Sequence, residues 1–308
     1  MTTLRHILAA TDLSPSSHRA LRRAAQLAAA SGARLTVLHV VPLGALDRVH
    51  RLLQQDAPAE TDRIADSMRR DVQQVAEELT AAYGVTVEVQ VPRGTVLEEL
   101  AMLAESMNAD LLVLGAQGMH PVRSWLLGST TERILRRTTR PVLIVKQPGD
   151  QPYRRALIPV DFSAHAVAAV REARSVAPDA DLVLAHIAEV PFEGKLSQAG
   201  VSETVLRGLH ASANAEARTR MDEFLQRLEI GDTLVRTVIE RGDVPAVISA
   251  LETEQACDLV VMGKRGMSLT DELFLGSVTR HVLSRSNADV LVADRDVVSE
   301  GDIPAFDA

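Results

Sequence analysis

Short continuous apolar runs alternate along the chain with longer stretches in which apolar residues recur every three or four positions. The runs at His6–Ala10, Leu35–Val41, Val85–Val91, Leu111–Leu114 and Val142–Val145 are rich in Val, Ile and Leu. Their unbroken apolarity predicts strands covered on both faces. Between them, Ser14-Pro15 reads as an N-cap and first-turn pair, followed by Ala20, Leu21, Ala24, Leu27 and Ala28 at helical spacing. Thr61–Ala82 and Val96–Ser106 predict further helices. The same order then returns, with strands predicted at Ala156–Val160, Leu182–Ile187, Leu234–Ile239, Leu259–Met262 and Val290–Ala293. Strand and helix in alternation imply right-handed crossovers and parallel sheets. The fold class is α/β, twice.

The second half repeats the first. Asp110–Val145 aligns on Asp258–Ala293 at a constant offset of 148, and 14 of these 36 positions are identical. Upstream, Leu8–Ser17 faces Ile158–Ala166, and Val37–Val41 faces Val183–Val190. The join falls near Lys146–Arg155, with two prolines and a glycine, so domains are expected at 1–148 and 152–295, followed by a flexible acidic tail at 296–308. Two copies are too few for a solenoid, and each is expected to have its own core. The segments Pro42–Met68 and Pro191–Ala217 diverge between copies; they read either as flaps and partner surfaces or as plain solvated connections.

Composition narrows the classes. The 308 residues are 46% apolar and only 3% aromatic, so aliphatic side chains must build the interior. The absence of an 18-residue apolar run and of a leader-like start argues against membrane insertion and secretion and for the cytoplasm. A single cysteine, Cys257, fits a reducing compartment. A net charge of −8 argues against nucleic acid as the main partner. The charge is uneven: residues 1–148 hold 17 basic and 15 acidic side chains, or +2, and the remainder 16 and 26, or −10.

In an open α/β sheet, ligands bind beyond the carboxyl ends of the strands, where the strand order reverses. The first strand of each half runs into Asp12 or Asp161. The fourth ends in Gly115-x-x-Gly118, with Gly128-Ser129-Thr130 following after nine residues; the second half has Gly263-x-x-Gly266 and Gly276-Ser277-Val278 at the same spacing. Glycines allow close approach to the backbone, and a helix opening at Ser129 offers unpaired N–H groups and a dipole to an anion. Ser129 and Ser277 add hydroxyl donors, and Asp12 and Asp161 can accept from a ribose or an adenine amino group. The competing reading is that these are turn glycines, serine caps and aspartates closing their own loops.

With these residues in place, the chain resembles the universal stress protein family, and G-x2-G-x9-G-[ST] is similar to the motif of its ATP-binding branch. The resemblance covers almost the whole chain as a tandem pair. It implies open, doubly wound five-stranded sheets of order 3-2-1-4-5 that pair through their fifth strands, with further association of chains allowed. It also implies adenosine between the first and fourth strand ends. Asp12 would contact ribose or adenine, the Val40 backbone would lie at the adenine edge, Gly115 and Gly118 along ribose and phosphates, and Gly128, Ser129 and Thr130 around the phosphates. Asp161, Ile187, Gly263, Gly266, Gly276, Ser277 and Val278 match in the second half. The implied ligand is ATP with Mg²⁺, or ADP or AMP.

The halves depart from each other between the glycines, with Ala116-Gln117 against Lys264-Arg265, and in the linker, with Arg123 against Asp271 and Glu272. An acidic pair near a triphosphate is unfavourable unless it faces solvent or helps hold a metal. No histidine pair has metal-ligand spacing, and His39 and His186 read as structural. Cys257 reads as a small, partly buried residue, with a redox sensor as the alternative. Nucleophile elbows, P-loops and dinucleotide fingerprints are missing, as are the loops of ATP-dependent adenylyl transferases. The expectation is an adenine-nucleotide-binding regulator or sensor acting on an unidentified protein partner. Its alternatives are an empty oligomerisation scaffold and a slow ATPase or self-phosphorylating protein using Ser129 or Ser277.

Overall fold

The computed structural model describes residues 3–44, 57–117, 129–188, 190, 192–228, 234–264 and 275–293. The first half runs β1 (His6–Ala10), α1 (Pro15–Ser31), β2 (Arg34–Leu38), β3 (Val41–Pro42), α2 (Ala57–Tyr83), β4 (Val87–Gln90), β5 (Arg93–Gly94), α3 (Val96–Ser106), β6 (Leu111–Gly115), α4 (Ser129–Arg137) and β7 (Val142–Val145). The second runs β8 (Arg155–Pro159), α5 (Ala164–Val176), β9 (Asp181–Ile187), α6 (Glu193–Gln198), α7 (Glu203–Arg227), β10 (Val235–Glu240), α8 (Val244–Glu254), β11 (Leu259–Gly263), α9 (Ser277–Arg285) and β12 (Asp289–Ala293).

All the main strands belong to one ten-stranded sheet of order β10-β9-β8-β11-β12-β7-β6-β1-β2-β4. Each half contributes five parallel strands in the expected order 3-2-1-4-5. The halves meet through antiparallel β7 and β12, with Leu143 opposite Leu291. Both strands are buried along their whole length, which accounts for their apolar sequences. Successive strand residues point to opposite faces: Ile7, Leu111, Leu143 and Leu259 enter one core, while Leu8, Leu112, Ile144 and Val260 enter the other. Each core crosses the join. The expectation of one core per copy is therefore corrected: a continuous sheet makes the two hydrophobic layers continuous as well.

A second departure has a single cause. The run Leu35–Val41 is split into β2 and β3, which pair with β4 and β5 respectively. The register is the same on both sides of the break, Leu38 opposite Gln90 and Val41 opposite Arg93. The missing rung falls at Pro92, which has no N–H to donate.

Local chemistry sets the helix starts. Ser14 and Ser163 cap α1 and α5, accepting from Ser17 and Ala166 N–H. Between strand and cap, Leu13 and Phe162 hold left-handed φ values of 63° and 64°, an uncommon conformation for bulky side chains that recurs at the matching place in both halves.

The join carries a buried polar cluster. Asp289 is fully buried and Arg23, on α1, is 3% exposed. Arg23 Nε donates to Asp289 Oδ2 at 3.2 Å, and Tyr153 Oη donates to the same oxygen at 2.6 Å. Asp289 Oδ1 accepts the N–H groups of Lys146 and Gln147 at 2.7 and 2.9 Å. The Arg23 guanidinium lies 4.1 Å from the Tyr153 ring centre and also donates to the Gln151 carbonyl. Burial, aided by the Asp289 charge, raises the Tyr153 phenol well above its ordinary range. Gly149, at φ 81°, packs against α1 so closely that a Cβ would lie 3.1 Å from the Arg19 carbonyl oxygen. The connecting segment is thus fixed to the first half by charge, hydrogen bonds and contact.

Removing one member of a buried, hydrogen-bonded pair leaves the other uncompensated, so Asp289→Ala is expected to cost about 3–5 kcal/mol in denaturant unfolding. Asp62→Ala, which breaks the exposed Arg93–Asp62 pair, should cost no more than about 1 kcal/mol. Equal losses for the two variants would contradict this ranking.

Candidate functional site

The first strand of each half ends in an aspartate followed at once by the left-handed residue. Asp12 Oδ1 accepts the Ser14 N–H at 3.1 Å, and Asp161 Oδ1 accepts the Ser163 N–H at 3.1 Å and its hydroxyl at 2.6 Å. Both carboxylates therefore help close their turn, in keeping with the loop-closing alternative, while standing at the carboxyl end of the central strand. Thr11 Oγ1 lies 2.9 Å from Ser17 Oγ and accepts the Leu13 N–H at 3.0 Å. The turn is braced on both sides.

Beside it the first and second strands stop pairing. Arg34 N–H donates to the Arg5 carbonyl and Thr11 N–H to the Leu38 carbonyl. In a parallel ladder every second residue faces the same neighbour, so Val40, two residues beyond the end of β2, is the next to face the first strand. Its rung would use the Thr11 carbonyl. That carbonyl instead accepts from His39 Nδ1 at 2.9 Å. In the second half Val160 N–H donates to Ala185, Ile187 is next in phase, and the Val160 carbonyl accepts from His186 Nδ1 at 2.8 Å. Among the described residues, no main-chain bond joins Val40 to Thr11 or Ile187 to Val160.

The glycines divide by cause. A Cβ on Gly115 would sit 2.8 Å from Ser16 Oγ and 2.9 Å from the Ser16 carbonyl carbon. Gly115 is therefore required by the approach of α1 to the end of β6, a packing role the glycine spacing did not reveal. Gly276 differs, because a Cβ there meets nothing closer than 3.7 Å. It precedes α9 without a side-chain cap, so the first N–H groups of that helix lack intrahelical acceptors. Ser277 is exposed and Val278 half-buried beside it. Thr279 Oγ1 donates to the Gly263 carbonyl at 3.2 Å, and Thr131 Oγ1 to the Gly115 carbonyl at 3.4 Å. These threonines tie each phosphate-candidate helix to its fourth strand. Their signal in the sequence was only a threonine repeated at the offset of 148. Thr130 is exposed in the first turn of α4. Gly118, Gly128 and Gly266 lie outside the described residues, as do the Ser129 side chain and Arg123, Arg265, Asp271 and Glu272.

Lysines link each half to the helix of the other. Lys264, the first residue after Gly263, is buried and donates from Nζ to the Thr138 carbonyl at 3.0 Å, at the end of α4. Lys146 Nζ donates to the Leu283 and Ser286 carbonyls at 2.9 and 2.6 Å, at the end of α9. Both place positive charge at a helix carboxyl end, where the dipole favours it. Burial lowers the Lys146 ammonium to about 8. On the divergent segments, Arg93 pairs with Asp62 of α2 at 2.6 Å, and the matching Arg241 pairs with Glu193 of α6 at 2.9 Å. Cys257 is buried, and desolvation pushes its thiol up to about 11. No group of three His, Cys, Asp or Glu side chains is placed for a metal among the described residues. No described helix is long and apolar enough to cross a membrane. The arrangement offers hydrogen bonds and a helix amino end to a polar anionic ligand.

Comparison with known proteins follows the same division. The model of the Universal stress protein family matches residues 3–146 and again 152–294. A universal stress protein of Mycolicibacterium smegmatis is 27% identical over 297 residues, 93% of this chain and 96% of its own length. Universal stress protein A homolog 1 of Coxiella burnetii is 33% identical over 142 residues, 46% of this chain and 95% of its own. The crystal structure of a universal stress protein from Archaeoglobus fulgidus superposes with a TM-score of 0.68 at 25% identity, covering 94% of this chain and 98% of that one.

The two glycine classes should separate experimentally. Gly115→Val must displace the α1 backbone and is expected to lose about 1–3 kcal/mol of stability, whereas Gly276→Ala should stay within about 1 kcal/mol. Chemical denaturation of both variants checks the order. Cys257, shielded and with its thiol raised to about 11, should resist a thiol-specific disulfide reagent near neutral pH and react once the chain is unfolded. Rapid reaction of the folded protein would favour the redox-sensor alternative.

Proposed function

The chain belongs to the universal stress protein family, whose model matches both of its halves, and from that premise we propose that it binds adenine nucleotide, ATP with Mg²⁺, and regulates partners in stress adaptation. The observation that carries this reading is the interrupted ladder beside the braced aspartate turn, present in both halves. It leaves the main chain of Val40 and Ile187 directed over the end of the first strand, next to Asp12 and Asp161. A base edge fits the former and a ribose or amino group the latter.

Phosphates would then lie toward the second glycine element, at the amino ends of α4 and α9. Gly128, Ser129 and Thr130, or Gly276, Ser277 and Val278, would receive them there, with Gly118 and Gly266 alongside the chain of phosphates. Gly115 and Gly263 would shape the strand end. Gly276 fits this role by its open surroundings. Mg²⁺ is held largely by phosphate oxygens and water, so it needs no dedicated protein cage; bound there, it would neutralise phosphate charge. ADP and AMP share the adenosine contacts and would bind with fewer phosphate contacts. Nucleotide binding would change the surface offered to a partner. Hydrolysis, if any, is expected to be slow.

One observation favours the scaffold as a second reading: Gly115 is accounted for by packing without any ligand. Association of two chains in either reading would use surfaces other than the fifth strands, which are already paired within the chain.

Calorimetric titration of Mg-ATP into nucleotide-stripped protein tests the proposal, using Gly118→Val/Gly128→Val and Gly266→Val/Gly276→Val variants. Two binding events, each abolished by its own double variant, are the expected result. A single event would assign the work to one half. Absence of heat from folded protein, with no nucleotide released on initial denaturation, would leave the scaffold.

A further inference from the structure

We infer that His39 and His186 are positioning residues for the base: each imidazole occupies the main-chain carbonyl just past the end of the first strand and thereby holds the N–H of Val40 or Ile187 out of the ladder for a ligand. The base-binding part rests on the nucleotide reading above; the diversion of the ladder does not. A carbonyl only accepts, so Nδ1 must carry the proton in both His39–Thr11 and His186–Val160. The donor that the parallel phase would bring to the same carbonyl is the N–H one residue beyond the histidine. Side chain and main chain therefore approach the same carbonyl, and among the described residues only the side chain bonds to it in both halves.

A packing role alone explains the ring poorly. His39 is buried, yet its Nε2 has no hydrogen-bond partner among the described residues. A buried polar atom left unmet is unfavourable, and an aliphatic residue would avoid it. His6 provides the contrast within the same sheet: its Nδ1 lies 3.1 Å from the Met107 carbonyl oxygen and its Nε2 2.8 Å from Thr36 Oγ1. Both nitrogens of His6 are used for structure, whereas His39 spends one on ending the ladder and leaves the other bare. The consequence is chemical. One strand residue with a displayed N–H and C=O offers a donor and an acceptor side by side, which matches the N1 acceptor and N6 donor of adenine. Hypoxanthine presents the reverse pair, a protonated N1 and a carbonyl oxygen, and is disfavoured.

The test uses the full-length protein with His39→Leu and His186→Leu, each alongside the corresponding Asn variant, whose amide can still donate to the carbonyl. Amide hydrogen exchange in the nucleotide-free protein reads the ladder directly. In the Leu variants, exchange of the Val40 or Ile187 amide should slow by about tenfold or more as it pairs with the vacated carbonyl, and the Asn variants should match the parent. Titration with Mg-ATP, Mg-ITP and inorganic triphosphate reads the base. The Leu variants should lose the preference for ATP over ITP while keeping triphosphate affinity within about twofold, and Asn should restore the preference. Unchanged exchange in folded Leu variants would overturn the inference, as would an unchanged ATP preference. If the parent binds neither nucleotide, the nucleotide reading and the base-binding part fall together, and the exchange data alone still decide whether the imidazoles end the ladder.

Discussion

A carboxylate with no contact with solvent, Asp289, sits where the two halves of the chain meet, and the architecture depends on its being satisfied. It has an arginine from α1, a tyrosine hydroxyl and two main-chain N–H groups from the connecting segment as partners. An isolated charge in such a place would be prohibitive, so the groups around it must be held together or not at all. The cluster fixes the segment against α1 and sets β12 beside β7, which makes two sheets one. It also breaks the internal symmetry. The position matching Arg23 in the second half is Glu172, and that matching Asp289 is Pro141. The pairing of fifth strands repeats about a pseudo-twofold, but the clamp over it exists once.

Because β7 and β12 run antiparallel, the strand ends that carry the two candidate sites point in opposite directions along one sheet. Each is nonetheless hydrogen-bonded across the join to the opposite half. Lys264 follows directly on the fourth strand of the second half and holds the end of α4; Lys146 follows the fifth strand of the first half and holds the end of α9. The amino ends of those helices are the phosphate-candidate elements, and Thr131 and Thr279 fasten them to their own fourth strands. Each helix thus has its amino end in one half's site and its carboxyl end bonded to the other half.

Legibility from sequence varied with the range of the interaction. Strands such as Val142–Val145 were plain because burial on both faces demands an unbroken apolar run. The capping of α1 by Ser14 was equally plain, being decided by residues three apart. The division of Leu35–Val41 was hidden, since its cause, Pro92, lies between the two neighbouring strands β4 and β5, far along the chain. At Gly115 the spacing records that a Cβ is excluded but not by what, and the helix backbone that lies against it is visible only in the fold. Lys264 stood between two glycines of the candidate motif and proved to serve a helix end in the opposite half. His39 and His186 were recognisable as structural, but which carbonyl they occupy follows only from strand register.

The sequence by itself determined that the chain is a duplicated α/β unit with its polar and glycine residues gathered at the carboxyl ends of the first and fourth strands. These are properties of period, repeat and local turn chemistry, and they survive in one dimension. Only the tertiary structure decided that the two hydrophobic cores run through both halves, that a single buried carboxylate clamps them, and that the ladder beside each aspartate is ended by a histidine. Those outcomes depend on which distant groups compete for the same acceptor or the same volume, and that competition exists only once the strands lie side by side.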